Sequence, residues 1–275
     1  MCGCSPESDL EEVFGLDGEQ TVEEFTETIL TAAPLVVAGV AHKVPGLGVT
    51  YNHLTNKRAA FGPAHRATPR VADPTEILLH ESVTSSRAAT LRVLKRRDLS
   101  VHLIVDADGS VTQHGDLSTV RMAHAGGHNG PSIGLEIVNP YYGGSGAGAK
   151  VWPDKLRAGW VHRKVYRIPT DAQLVAAYRL CLWLTSDVLG LDIPRVFPGV
   201  QQGKMWMTTA PGGQKRQPGI WAHAQTSNHA DAPFVALYLY MRFAGLDHRE
   251  ARAESIERAT GASRWVPVAD LGGVA

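Results

Sequence analysis

Three histidines and an aspartate have the side chains and the spacing of a hydrolytic metal site. His223, His229 and Asp231 lie together in WAHAQTSNHADAP, and His80 lies far upstream in EILLHESVT. A catalytic zinc ion takes three protein ligands with nitrogen, oxygen or sulfur atoms and leaves a fourth position for water. Zinc lowers the pKa of that water to about 7, which provides hydroxide at neutral pH. The chain has 12 histidines, so the prediction of a zinc hydrolase depends on the set and not on any single one.

The surrounding sequence predicts that these residues lie at the ends of strands. His80 ends the apolar run Ile77–Leu79, which is typical of a buried strand. His223 follows the apolar run Ile220–Ala222, a second short strand, and Asp231 lies on the loop that comes next. This shared position at strand ends favours one common site over unrelated side chains.

Hydrophobic periodicity and turn residues predict the other elements. The pair Asp108 and Gly109 is typical of a tight turn between two strands. Thr170 and Gln173 form a capping box that begins a long helix, and Gly190 is expected to end it. The predicted strands cover about residues 75–80, 101–106, 110–115 and 133–138, and the predicted helices cover residues 21–33, 87–97, 170–190 and 232–244.

Four sequence blocks, read in order, resemble the zinc-dependent N-acetylmuramoyl-L-alanine amidases. The blocks are LLHESVT, LSVHLIVDADGSVTQHGDL, AHAGGHNGPSIGLEIVN and WAHAQTSNHAD, and they extend over roughly residues 73–245. This family includes phage lysozyme-type amidases, bacterial muropeptide-recycling amidases and peptidoglycan recognition proteins. The resemblance implies an α/β fold, in which a central mixed β-sheet is flanked by helices.

The resemblance also implies which residues bind the metal. The family's first ligand ends the first core strand, here His80, and its second ends a late strand, here His223. The third is a cysteine or aspartate eight to ten residues later, and Asp231 matches at eight. Two residues before it, where relatives have a lysine or threonine facing the substrate carbonyl, this chain has His229. His229 would donate a hydrogen bond to the oxyanion, or it would replace Asp231 as the third ligand.

The general base is the point at which the chain departs from many relatives. Many of them have a tyrosine directly before the histidine of the second block, where this chain has Val101 before His102. The recycling branch lacks that tyrosine and uses a glutamate that matches Glu136 in SIGLEIVN. Burial between Leu135 and Ile137 would raise the pKa of Glu136 towards the range of a general base. The alternative is a structural glutamate paired with an arginine.

Three further residues are candidates for substrate binding. His124 and Asn129 match a family loop that lines the substrate cleft. Trp206 lies in the segment 197–219, which leads to His223 and carries several basic and amide groups. An aromatic ring can stack on a sugar, and amides or cations bind peptide carboxylates. The alternative for this segment is a solvated loop with a packed tryptophan.

Composition is typical of an enzyme with one core. At 275 residues and 44% hydrophobic, the chain can bury a full core, and its formal net charge of zero argues against binding to nucleic acid. Its three cysteines do not form a disulfide framework. We expect residues 1–70 to be an N-terminal extension packed on the core, residues 71–245 to be the zinc amidase domain, and residues 246–275 to be a C-terminal tail without a readable motif.

The first residues do not resemble a secretory signal. Residues 1–20 are acidic and have no apolar centre, and the apolar run Leu35–Val40 is too short to span a bilayer. We therefore expect a protein that is cytoplasmic as synthesised and has no membrane span. Three settings stay open: a phage lysis enzyme released to act on the cell wall, a recycling enzyme, and a delivered toxin.

The predicted function is hydrolysis of the amide between N-acetylmuramic acid and L-alanine in peptidoglycan or muropeptides. Zn²⁺ would be the cofactor, Glu136 the general base and His229 the oxyanion donor. Two alternatives remain at this point. One is a non-catalytic peptidoglycan-binding module, since some family members lose a zinc ligand and keep the groove. The other is a zinc amidase that acts on a different amide.

Overall fold

A mixed six-stranded β-sheet lies at the centre of the computed structural model, which describes residues 32–142 and 148–271. The strands of these residues are β1 (Leu35–Val37), β2 (Val40–His42), β3 (Val49–Tyr51), β4 (Thr68–Pro69), β5 (Glu76–Glu81), β6 (Leu103–Val105), β7 (Val111–Gln113), β8 (Val120–Arg121), β9 (Ser132–Ile137), β10 (Lys155–Arg157), β11 (Val165–Arg167), β12 (Val200–Gln201), β13 (Lys204–Trp206), β14 (Gly219–Ala222) and β15 (Trp265–Pro267). The α-helices are α1 (Arg87–Arg96), α2 (Gly148–Val151), α3 (Asp171–Leu184), α4 (His223–Thr226), α5 (Pro233–Phe243) and α6 (His248–Ala259). Short 3₁₀ helices cover Pro63–His65, Gly126–Asn129, Asp187–Leu189 and Ala269–Leu271.

The central sheet has the strand order β14-β5-β9-β6-β7-β3. Strands β14, β5, β9 and β6 run parallel to one another, β7 is antiparallel to β6, and β3 is parallel to β7. Parallel strands are usually covered on both faces, and β5 and β9 consist entirely of buried residues. The prediction of an α/β fold with a central mixed sheet flanked by helices is confirmed.

Helices cover both faces of this sheet. On one face, Ile77 and Leu79 of β5 pack in a cluster with buried residues of α3 and α5. On the other face, Ile104 of β6 packs with Leu94 of α1. Successive side chains of a strand alternate between the two faces, so His80 lies on the α1 side. No helix among the described residues combines the length and the apolar character needed to cross a membrane.

The predicted strands and helices that lie fully within the described residues match the structure within a few residues, except at the end of the long helix. The sequence predicts an end at Gly190, whereas α3 ends at Leu184. The hydroxyl of Thr185 donates to the carbonyl of Cys181, a local bond that competes with continuation of the helix. Gly190, with a φ of 63°, ends the separate 3₁₀ helix Asp187–Leu189.

The segment that precedes the first predicted core strand contributes to the central sheet. Strand β3 forms the sheet edge next to β7, and β1 and β2 form a hairpin whose first strand is buried. From this segment, the main core cluster includes Leu35, Val37, Val44, Leu47 and Val49. Residues 1–31, which include Cys2, Cys4 and nearly all of the helix predicted at 21–33, lie outside the described residues. The last two residues of that predicted helix are described and are not helical.

Residues 246–271 contain a helix and a strand, whereas the sequence analysis predicts a tail there without a readable motif. The carboxylate of Asp247 accepts a hydrogen bond of 2.8 Å from the backbone N–H of Glu250, and the Glu250 carboxylate accepts one of 3.1 Å in return. This capping box begins α6, and its Asp-x-x-Glu spacing is a readable start signal. Strand β15 pairs with β13, so this part of the chain is joined to the segment that leads towards His223.

Candidate metal centre

The structure brings the three predicted ligands together at one edge of the central sheet. Strands β5 and β14 are parallel neighbours, and His80 lies near the end of β5 while His223 directly follows β14. Asp231 lies in the loop between α4 and α5. Its Oδ2 atom is 3.4 Å from Nδ1 of His80 and 3.2 Å from Nδ1 of His223. One ligand atom from each residue lies within 4.8 Å of the others, so the three atoms can bind a single ion.

Burial and charge in this cluster suit a divalent cation. Burial, together with the charge of His223, lowers the pKa of His80 to about 4, so its ring is neutral at neutral pH. Burial would raise the pKa of Asp231, but the charge and hydrogen bond of His223, with those of His80, hold that pKa well below its usual range. Oδ1 of Asp231 is buried and has no hydrogen-bond partner among the described residues. A neutral imidazole and an ionised carboxylate with a free oxygen are ligands that zinc prefers, so these residues fit the predicted ion.

His229 lies beside the ligands. Its ring stacks on that of His223, with 4.0 Å between the centroids and 23° between the planes. Burial, and then the charge of His223, lowers the pKa of His229. Among the described residues, the converging ligand atoms include that of Asp231 and not one of His229. This geometry favours Asp231 as the third ligand, and His229 lines the same cavity as the predicted ligands.

Glu136 lies next to His80 on the neighbouring strand. The two residues are register partners in β9 and β5, so their side chains leave the same face of the sheet. Burial, and then the charges of Asp231 and Glu81, raise the pKa of Glu136 to about 8. In the part of the chain that the structure describes, no arginine pairs with Glu136, which argues against the structural alternative.

The three predicted ligands and Glu136 line a cavity of about 820 Å³. This volume is within the range of cavities that bind small molecules and short peptides. One wall is the loop 124–128, and another is formed by residues of α1 and of the turn after it: Thr90, Val93, Leu94, Arg97 and Leu99. The three predicted ligands and residues of α1 therefore line the same cavity.

Comparison with known proteins identifies the family. A family model described as N-acetylmuramoyl-L-alanine amidase matches residues 70–231, more than half of the chain. The chain belongs to this family. The resemblance inferred from the four sequence blocks is confirmed, and the matched region contains all three predicted ligands and Glu136.

Solved structures with some similarity include recognition proteins and amidases. Drosophila Peptidoglycan Recognition Protein (PGRP)-SA has 14% sequence identity and a TM-score of 0.40, over 74% of this chain and 93% of that one. N-acetylmuramoyl-L-alanine amidase LysC from Clostridium intestinale URNW has 13% identity and a TM-score of 0.35, over 58% of this chain and 76% of that one. The search of curated proteins finds no match.

Of the three residues predicted to bind substrate, the structure places one on the cavity. His124 lines it, and Nδ1 of His124 shares a hydrogen bond of 2.9 Å with Nε2 of His80. Asn129 holds the loop together instead, because its Oδ1 accepts hydrogen bonds from the backbone N–H groups of His124 and Ala125. Trp206 packs against a small separate cluster of buried apolar side chains. Neither Asn129 nor Trp206 is among the described residues that line the cavity.

The two histidines of the second block, His102 and His114, make hydrogen bonds within the core. Nδ1 of His102 accepts a hydrogen bond of 3.0 Å from the N–H of Gly134, and Nδ1 of His114 lies 2.8 Å from the carbonyl oxygen of Ala59. Burial, as the main cause, lowers the pKa of His102 to about 3 and that of His114 to about 4. Both rings are therefore neutral, buried parts of the core.

Glu81 was not predicted, although it lines the cavity directly after His80. Its Oε1 accepts hydrogen bonds of 2.7 Å from the hydroxyl of Tyr166 and from Nδ2 of Asn139. Burial raises the pKa of Glu81 to about 7 in spite of these bonds. A carboxylate at the end of a buried apolar strand is costly unless it has partners, and this was the readable signal in ILLHE.

Proposed function

We propose that this chain is a zinc-dependent hydrolase that cleaves the amide between the lactyl group of N-acetylmuramic acid and L-alanine. The substrate would be peptidoglycan or a muropeptide. The observation that carries the proposal is the convergence of His80, His223 and Asp231 beside Glu136 in one cavity. Membership of the amidase family supports the substrate class.

His80, His223 and Asp231 would hold the zinc ion through two Nδ1 atoms and a carboxylate oxygen. When bound, zinc polarises the amide carbonyl and lowers the pKa of water to about 7. His124 would orient the ring of His80 through their hydrogen bond of 2.9 Å, because an outer partner fixes the tautomer and the direction of a ligating histidine.

Glu136 would act as the general base. It takes a proton from the attacking water and returns it to the nitrogen of the leaving amine. Burial and the neighbouring carboxylates raise the pKa of Glu136 to about 8, so the protonated form that the second step needs is accessible. A cation among the ligands beside it favours the ionised form that the first step needs.

His229 would stabilise the developing negative charge on the carbonyl oxygen. A neutral imidazole keeps one N–H, and a donor that is already in position stabilises an oxyanion strongly in a site with little water. The stacking of His229 on His223 supports this role, because it holds the donor beside the metal ligands.

Digestion of purified sacculi tests the proposal. The sacculi are incubated with zinc-loaded protein, with chelator-treated protein and with the Glu136→Gln variant, and the released ends are identified by mass spectrometry. We expect free L-alanine amino groups and free lactyl carboxyls with the zinc-loaded protein alone. Cleavage at another bond would assign a different amide. Binding to sacculi without new ends would identify a non-catalytic peptidoglycan-binding protein.

A further inference from the structure

The outer face of α1 is strongly basic. Arg92, Lys95 and Arg96 lie three and four positions apart, so their side chains share one face of the helix. Arg92 and Arg96 are exposed, and Lys95 is half-buried. Val93 and Leu94 of the same helix line the proposed active-site cavity, so this basic face lies beside the cavity.

A second segment adds three cations to this face. Nζ of Lys95 donates a hydrogen bond of 3.0 Å to the carbonyl of Arg58, and Nε of Arg66 donates one of 2.9 Å to the carbonyl of Asp98, in the turn after α1. These two bonds hold residues 57–66 against the end of the helix. The exposed side chains of the two segments, together with Lys95, are called the basic surface: Lys57, Arg58, Arg66, Arg92, Lys95 and Arg96.

No carboxylate among the described residues pairs with the basic surface. Residues 57–66 and 87–98 contain eight lysines and arginines, and Asp98 is their single acidic residue. The dipole of α1 favours cations in its last turn, but it does not account for those of residues 57–66. Like charges on neighbouring side chains repel one another, so a partner of opposite charge would stabilise this surface.

The opposite charge is concentrated at the start of the same chain. Nine of the 27 acidic residues lie in residues 1–31, and none of the 27 lysines and arginines does. Residues 32–275 therefore have a formal net charge of +9, although the whole chain has a net charge of zero. The acidic residues are Glu7, Asp9, Glu11, Glu12, Asp17, Glu19, Glu23, Glu24 and Glu27, and the structure does not describe this segment.

The described chain begins close to the basic surface. The carbonyl of Pro34 accepts a hydrogen bond of 2.9 Å from Nδ2 of Asn52. Asn52 begins a turn in which its own carbonyl accepts from the N–H of Asn56, and Lys57 comes next. Leu54, in the same turn, is 56% exposed. Residues 1–31 thus join the described chain a short distance from the cations, next to an apolar side chain that a docked segment could cover.

We propose that the acidic residues 1–31 bind the basic surface of the same chain and mask it from other polyanions. Each exposed ion pair contributes little, but several pairs acting together, through a partner attached to the same chain, give stable binding. The inference does not depend on the proposed hydrolysis, because neither zinc nor the substrate takes part in it.

Zero-length cross-linking of the full chain with a carbodiimide tests the contact. This reagent joins a lysine amine to a carboxylate that touches it, and mass spectrometry identifies the pairs. We expect Lys57 and Lys95 to be joined to carboxylates of residues 1–31. Lys155 is the control, because it is exposed on β10 and should not be joined to them. The yield at Lys57 and Lys95 should fall strongly in 1 M salt, where the Debye length is about 3 Å.

A matched pair of variants tests the contribution of the arginines. Arg58→Gln with Arg96→Gln leaves both reactive lysines in place and should lower the cross-linking yield. Arg157→Gln with Arg163→Gln removes the same charge from exposed positions on another part of the chain and should not lower it. A mixture of isotopically labelled and unlabelled protein shows whether the joined residues belong to one chain.

Binding of heparin, a sulfated polysaccharide, measures the masking. If residues 1–31 cover the basic surface nine-tenths of the time, their release tightens the apparent Kd about tenfold. The variant with Glu11, Glu12 and Glu23 changed to glutamine should therefore bind heparin more tightly than the wild type, by up to that factor. The control removes three exposed acidic side chains elsewhere, through Asp187→Asn, Asp192→Asn and Glu257→Gln, and should change the Kd much less.

Three results would overturn the inference. The first is cross-linking of residues 1–31 to Lys155 as often as to Lys57 and Lys95. The second is a pattern in which labelled chains are joined to unlabelled ones, since the surface would then bind a second copy. The third is an equal heparin Kd for the two triple variants, which would show that only the overall charge matters.

Discussion

The carboxylate of Glu81 accepts a hydrogen bond of 2.7 Å from the backbone N–H of Ala232. Each of these residues directly follows a predicted metal ligand, His80 in one case and Asp231 in the other. Ala232 has a φ of 64°, a left-handed conformation that costs a residue with a side chain about 1–2 kcal/mol. The bond to Glu81 offsets that cost and joins the two segments that carry the ligands.

We therefore predict that Glu81→Gln weakens zinc binding without removing a ligand. The Glu81 carboxylate accepts from the hydroxyl of Tyr166, from Nδ2 of Asn139 and from the backbone N–H of Ala232. The glutamine amide has one acceptor oxygen where the carboxylate has two, so its NH₂ group would face at least one of these donors. Zinc affinity should fall about 10–100-fold, as for other partners that orient ligands, and the melting temperature should fall as well. Competition with a chromophoric chelator measures the affinity. Glu257→Gln, on the exposed side of α6, is the control and should change neither quantity.

A second prediction concerns the ligands on the two strands. The wild type should hold one zinc ion per chain, and His80→Ala or His223→Ala should each lose most of it after dialysis, because each removes one of three protein ligands. Metal content is measured by emission spectrometry. His162→Ala, which changes an exposed histidine, should keep the ion. Full occupancy in both ligand variants would show that zinc binds elsewhere.

These ligands could be predicted from the sequence because strand ends carry them. Buried apolar runs determine β5 and β14, and a histidine at the end of each strand must then lie at the shared edge of the sheet. Glu136 stands out in a similar way, since it is the one charged residue of the buried strand β9, and the family resemblance then implies its role. In each case the apolar residues that predict the strand are the ones that the fold buries.

Other contacts could not be predicted, because they depend on how loops fold back. Asn129 lies on a loop that matches the family, yet its amide binds the loop backbone, a choice that side-chain type alone does not reveal. Trp206 precedes His223 in sequence and packs against a separate apolar cluster. The partners of Glu81 come from β11, from the segment after β9 and from the residue before α5, so only the assembled fold brings them together.

A third prediction separates Asp231 from His229. Asp231→Ala should lower zinc affinity, because it removes the carboxylate that lies between the two histidines. His229→Ala should keep zinc and lower kcat by about 10²–10³, the effect of removing one oxyanion donor. Metal content and turnover are measured on the same samples. If His229→Ala loses the metal while Asp231→Ala retains it, the two roles must be exchanged.

The fourth prediction concerns the general base. Glu136→Gln is nearly isosteric, so the variant should keep its fold, its zinc and its affinity for substrate, while kcat falls by about 10²–10⁴. The acidic limb of the pH–rate profile should also disappear, because Glu136 must be ionised to accept a proton. A variant with wild-type turnover and an unchanged acidic limb would exclude Glu136 as the base.

The last prediction uses the same variant without metal. Burial raises the pKa of Glu136 from 4.5 to about 8 in the folded chain, so the folded state binds this proton more tightly than the unfolded state does. The resulting stabilisation is fully present below about pH 4.5 and is lost as the pH rises through about 8, where ionisation of the buried group costs on the order of a few kcal/mol.

Urea unfolding of chelator-treated protein between pH 4 and 9 measures this dependence. The wild type should lose stability relative to Glu136→Gln as the pH rises, because glutamine does not ionise. Glu81, whose pKa is also raised, remains in both proteins, so the difference between them reports the ionisation of Glu136 together with its repulsion from Glu81. Zinc should reduce the difference, since a bound cation favours the ionised carboxylate. Parallel stability curves for the two metal-free proteins would mean that Glu136 ionises as easily in the folded chain as in the unfolded one, and the raised pKa on which its proton-returning role depends would be wrong.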